Sequence, residues 1–121
     1  MTPLVALGVG LVGGLGALAR FALDGAVTGW ARREFPYGTL AVNVSGAFVL
    51  GALVGAALDK SAYQLLGLGL VGAFTTFSTW ALESHRLAEE GELGLGVVNF
   101  VISLILGLAV AWAGRRLGAS L

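Results

Sequence analysis

The stretch SAYQLLGLGLVGAFTTFSTWAL, Ser61–Leu82, contains no charged residue. A helix rises about 1.5 Å per residue, so about 20 residues cross a hydrocarbon core of roughly 30 Å. The stretch is long enough to span a membrane, yet its second half is unlike an ordinary span. Four hydroxyls, Thr75, Thr76, Ser78 and Thr79, are interleaved with Phe74, Phe77 and Trp80. A lone membrane Ser or Thr bonds back to the carbonyl one turn earlier. Four in five positions cannot share one face, because successive side chains turn by about 100°. Non-helical backbone at membrane depth is tolerated only where protein buries it or a cavity meets it. The pattern predicts a membrane helix broken near its middle, with carbonyls freed for a cation and amides freed for an anion.

The rest of the chain agrees with lipid as the solvent. It has 121 residues, 57% hydrophobic and 12% charged, with a mean hydropathy of +0.90. A soluble domain is about one quarter charged, so this chain lacks the surface water would require. Uncharged runs predict four helices, at about 3–26, 38–58, 62–86 and 93–114, in a single domain over 1–121. Arg20 falls inside the first or at its end. No Lys or Arg precedes the first apolar run, so a cleavable signal peptide is not expected. Cysteine is absent, and His85 is the sole histidine; neither a disulfide framework nor an imidazole cluster within one chain is available. Net charge is zero, with no basic patch, which argues against nucleic acid as a partner.

Four spans put both termini and the Asp59–Ser61 loop on one side, with Lys60, Arg115 and Arg116. The Thr28–Tyr37 and Leu87–Glu92 loops share the other, with Arg32, Arg33 and Arg86. Orientation normally follows the excess of Lys and Arg, and here three face three. Either another influence sets a single orientation, or the chain inserts both ways and pairs antiparallel. Small residues at four-residue spacing, Gly10 and Gly14, then Ala47, Gly51 and Gly55, let helix backbones approach closely. The spacing serves packing within one subunit as well as between two.

Polar residues inside spans carry the functional signal, because burying them unpaired is costly. Asn43 offers two N–H donors and an acceptor. Asn99 and Ser103, four apart, share a face. Such residues serve either as glue between helices or as a track for a solute. Phe77 and Trp80 lie three apart; they are either packing residues or rings whose positive edges meet an anion. Arg20 and Asp24, four apart, either pair along the helix or leave Arg20 to attract anions. Glu83 is either buried or the first residue of a solvated cluster with His85 and Arg86.

Three segments, GGLGALAR (13–20), PYGTLAVNVSGAFVLG (36–51) and GLVGAFTTFSTWALE (69–83), resemble the Fluc (CrcB) fluoride channels in order and spacing. The resemblance implies an all-α membrane protein that exports cytoplasmic fluoride passively across the plasma or inner membrane. It implies an antiparallel, dual-topology homodimer with two pores and the third helix of each subunit broken. It also implies a central structural Na+ held by the backbone carbonyls of Gly72 and Thr75. Asn43, Phe77 and Trp80 would line the pores, with Ser78 and Thr79 beside them and Arg20 in the vestibule. Thr76, Glu83, Asn99 and Ser103 are further candidates for the polar track. The chain departs from the family at Trp80, where a second phenylalanine is usual; an indole brings a larger ring and an N–H donor.

The main alternative is a small multidrug-resistance exporter, also a four-helix, dual-topology protein. Those exporters use an acidic residue in the middle of the first helix, whereas the first helix here has only Asp24, near its far end. A second alternative is a membrane scaffold whose polar residues only join helices. No nucleophile–base pair suggests an enzyme.

Overall fold

The computed structural model of the chain describes residues 1–31 and 35–121. Arg32 and Arg33, counted above in the charge balance, lie outside them. Among the described residues every regular element is helical: α1 Pro3–Ala31, α2 Tyr37–Gly55, α3 Lys60–Tyr63, a π-helical stretch Gln64–Val71, α4 Gly72–Phe74, α5 Phe77–Glu89 and α6 Leu93–Ala119. Pro3 opens α1 and Pro36 precedes α2, positions at which the missing N–H and fixed φ cost nothing. Four segments are long and apolar enough to cross a membrane: Pro3–Trp30, Tyr37–Gly55, Lys60–Glu89 and Leu93–Ala119. The protein is a multi-pass membrane protein.

Three of the four spans run past their expected ends. α1 runs to Ala31 instead of 26, and α6 to Ala119 instead of 114. The third segment starts at Lys60 and ends at Glu89. Charges mark where hydrocarbon ends, but a helix satisfies its own backbone and continues into the interface. α2 stops earlier, at Gly55, because Ala57 takes φ 53° and its N–H closes on the Val54 carbonyl at 3.2 Å. Gly91, at φ 84°, makes the turn between α5 and α6, a conformation that only glycine adopts freely.

Lipid supplies no hydrophobic force between helices, so close backbone packing must hold them. The most extensive contact is α2 against α6. A Cβ on Gly51 would strike the Ala111 carbonyl oxygen, and one on Gly55 the Arg115 carbonyl oxygen. In return, α6 presents Gly114 to the Phe48 carbonyl and Gly118 to the Ala52 carbonyl. The Gly51–Gly55 stretch therefore packs within one subunit. A Cβ on Gly10 or Gly14 would meet open space, so these two glycines do not join helices inside the chain. Gly51→Val is expected to destabilise the fold by about 1–3 kcal/mol through overpacking. Thermal unfolding in detergent reads this, and an unchanged midpoint would mean the α2–α6 contact is looser than described.

α1 packs on the π-helical stretch and on α4, while α5 packs on α6. The third segment thus leans on different neighbours above and below Thr75 and Thr76. Helical backbone gives way at these two residues: Thr75 has φ −85°, ψ 161° and Thr76 has φ −146°, ψ 119°. The only large apolar side chains buried among the described residues are Val42, Val71, Trp80 and Leu87, which suits a chain surrounded by lipid.

Candidate functional site

The two extended residues are held by a side chain distant in sequence. Asn43 Nδ2 donates to the Thr76 carbonyl at 2.8 Å, and the Thr76 N–H donates to Asn43 Oδ1 at 2.8 Å. This two-way bond does for Thr76 what a helix or strand neighbour would otherwise do. α5 restarts at once, because Thr76 caps it: the Thr79 N–H donates to Thr76 Oγ1 at 3.2 Å. Thr76 Oγ1 also donates to Thr79 Oγ1 at 3.1 Å. Above the interruption, Thr75 Oγ1 donates back to the Val71 carbonyl at 3.1 Å. Gly46 of α2 makes room for the turn; a Cβ there would collide with Thr75 Cγ2 and come within 3.3 Å of Phe74 Cδ2.

This arrangement leaves backbone acceptors over, as the end of any helix does, and two of them are the carbonyls of Gly72 and Thr75. In a continuous helix the N–H of residue 76 would serve the carbonyl of Gly72, and that of residue 79 the carbonyl of Thr75. Here the Thr76 N–H goes to Asn43 and the Thr79 N–H to the Thr76 hydroxyl. Both carbonyls lose their helical donors. They are neutral oxygens of the kind that hard monovalent cations take as ligands.

Two hollows meet at Thr76. A groove of about 230 Å³ is lined by Asn43, Thr75, Thr76, Phe77, Trp80 and Ser103 among others. A cavity of about 280 Å³ is lined by Arg20, Asp24, Thr39, Thr76 and Thr79 among others. Arg20 does not pair with Asp24: among the described residues the only ion pair is His85–Glu89. Asp24 Oδ1 instead accepts from the Thr28 hydroxyl at 3.3 Å. The guanidinium therefore stands at the cavity without an ion-pair partner among the described residues, with Asp24 lining the same cavity. Ser78 and Phe77 are exposed, Phe77 to 74%.

Trp80 is buried, and its indole N–H is already spent, donating to the Asn99 carbonyl at 3.3 Å. Its ring stacks on Phe100 with centroids 4.6 Å apart and meets Phe77 in a T-shape at 5.1 Å. Asn99 is fully buried on α6, its Nδ2 donating to Ser84 Oγ at 2.8 Å. Ser103 Oγ lies 3.5 Å from Asn99 Oδ1. Glu83 is half-buried beside Thr39, and its Oε1 has no hydrogen-bond partner. Sequence reading did not single out Gly46, Thr39, Ser84 or Phe100. Ser84 and Thr39 carry a visible signal, each a hydroxyl one turn from a singled-out residue, Trp80 and Asn43 respectively.

Four apolar spans around a polar junction of Asn43 with the extended Thr75–Thr76 backbone define a multi-pass membrane protein with two hollows beside that junction. The chain belongs to the CrcB-like family: the family model described as CrcB-like protein, Camphor Resistance (CrcB), matches residues 7–115. A Mycolicibacterium paratuberculosis relative, named fluoride-specific ion channel FluC 2, is 52% identical over 116 residues, covering 96% of this chain and 95% of the relative. A Mycobacterium tuberculosis H37Rv relative of the same name is 49% identical, covering 95% of this chain and 91% of the relative. A Geobacter sulfurreducens relative, named fluoride-specific ion channel FluC, is 42% identical, covering 94% of both chains. These relatives are named as channels, not as enzymes.

Proposed function

We propose that this protein is a fluoride-selective passive channel that works as an antiparallel, dual-topology homodimer with two pores. The observation that carries the reading is its identity, over nearly the whole length, to relatives named as fluoride-specific ion channels. Its own geometry supplies a physical basis. Fluoride is small and strongly hydrated, so a pore must replace its water with hydrogen-bond donors. Asn43 spends one N–H on the Thr76 carbonyl, which leaves the other for the groove. The Thr79 hydroxyl accepts from Thr76, which leaves its own proton for an ion. Ser78 and Phe77 are exposed beside it, and the Phe77 ring offers its positive edge. Thr76 and Ser103 continue the polar surface, Glu83 lies beside Thr39 of the neighbouring cavity, and Arg20 draws anions into that cavity.

The junction at Thr75 and Thr76 is the functional break in the third helix. A central Na+ would be held by the Gly72 and Thr75 carbonyls, whose helical donors are diverted, joined by the same pair from the second copy. Such an ion would supply a fixed positive charge between two anion routes. The face of the groove open in one subunit would be closed by the other.

Liposomes holding the purified protein are expected to release fluoride under a valinomycin-set potential, with no proton coupling. Phe77→Ile should cut this flux at least about tenfold, because an aliphatic side chain has no positive edge, an interaction worth about 0.5–1.5 kcal/mol per ring pair and more in a dry site. Vesicles that release no fluoride would overturn the channel reading. Proton-coupled uptake of an organic cation would favour the exporter.

A further inference from the structure

Every polar atom of the Asn99 side chain is engaged, and its carbonyl is engaged too. Nδ2 donates to Ser84 Oγ, Ser84 Oγ donates to the Trp80 carbonyl at 2.9 Å, and Trp80 Nε1 donates to the Asn99 carbonyl. These three bonds form a closed circuit joining α5 to α6. Its members Trp80, Ser84 and Asn99 are 6%, 9% and 1% exposed. Beyond it, Phe100 backs the indole and Phe77 leans edge-on against it. An amide so enclosed cannot reach a passing ion without breaking the circuit.

We propose that Asn99 is a positioning residue: its main-chain carbonyl anchors the Trp80 indole N–H, its side-chain amide ties α6 to α5 through Ser84 and so keeps that carbonyl in register with the indole, and through Trp80 it sets the angle at which Phe77 enters the groove. The presence of an indole in this chain makes that possible, because a phenyl ring at the same place has no N–H to anchor on α6. Ser103, with Asn99 Oδ1 as its acceptor, is oriented by the same amide. The effect on ion flow rests on the channel reading above; the placement of Trp80 does not.

The test uses the full chain in liposomes with Trp30→Phe and Trp112→Phe, which leaves Trp80 as the single indole. Asn99→Ala is expected to move Trp80 emission to longer wavelength and to increase its quenching by acrylamide. Fluoride flux should fall at least about fivefold, and by less than about twofold when Trp80→Phe is also present, since contacting residues couple. Ser84→Ala, which removes the middle link with almost no change in volume, should give the same signs and covers the case in which Asn99→Ala does not fold. Unchanged emission and quenching in the folded variants would overturn the proposal. So would a flux loss of equal size with Trp or Phe at position 80, which would mean a general structural role. If the parent protein passes no fluoride, the channel reading falls, and the emission result alone decides whether Asn99 holds Trp80.

Discussion

Asn43→Asp is expected to reduce fluoride efflux by at least about 100-fold, from the loss of about 3 kcal/mol of favourable interaction. The substitution is nearly isosteric and keeps an acceptor for the Thr76 N–H. It removes the donor to the Thr76 carbonyl, and that carbonyl then faces a carboxylate oxygen where a 2.8 Å hydrogen bond stood. If ionised, the carboxylate repels an approaching anion; if protonated, it has one O–H in place of two N–H groups. Both outcomes remove the N–H proposed for the groove. Efflux from liposomes and the elution volume of the purified protein are the measurements. Flux near the parent value with the assembly intact would mean that Asn43 does not serve the pathway. Collapse of the assembly together with the flux would show that the Asn43–Thr76 bond is needed first for folding.

The second large effect is expected at a residue with no side chain. Gly46→Val places three carbons where a single Cβ would already collide with Thr75 Cγ2. Thr75 cannot yield freely, since its N–H and its hydroxyl both donate to the Val71 carbonyl. Overpacking of this kind costs about 1–3 kcal/mol or more. The strain falls on the backbone that carries the carbonyl proposed for the central cation. The expected result is loss of efflux by at least about tenfold, with any Na+-dependent thermal stabilisation of the proposed dimer weakened in parallel. Gly46→Ala should show the same changes at smaller size. A fully active Gly46→Val channel would mean that the Thr75 segment moves without consequence.

These two residues differ in how legible they were. Asn43 stood out because an amide inside an apolar span is costly and so calls for a partner. Its partner did not, because the two residues are 33 apart in sequence. Gly46 gave no signal, since glycine is common throughout the chain and its role is the room it leaves for another element. The π-helical stretch Gln64–Val71 was also unforeseen. Its apolar, glycine-rich sequence fits an α-helix equally well, and in the folded chain it packs against α1.

Trp80 shows the boundary most clearly. From sequence its indole N–H is a donor open to an anion, and Asn99 a candidate for the track. The folded chain spends that N–H on the Asn99 carbonyl and closes the circuit through Ser84. Likewise, the four-residue spacing of Arg20 and Asp24 allowed an ion pair, and the side chains settled elsewhere.

The sequence by itself determined the solvent, the number of spans and the place where one of them is polar. Those follow from the cost of carrying charge into hydrocarbon and from the turn of side chains along a helix, both local quantities. It left open which small-residue stripes pack within the subunit and which donors remain unspent. Only the tertiary structure decided these, because each depends on groups distant in the chain meeting at hydrogen-bond or van der Waals range. Asn43 meets Thr76, Gly51 meets Ala111, and Asn99 meets Trp80 and Ser84. A buried polar group must be satisfied, and composition states that requirement; the fold alone chooses the partner.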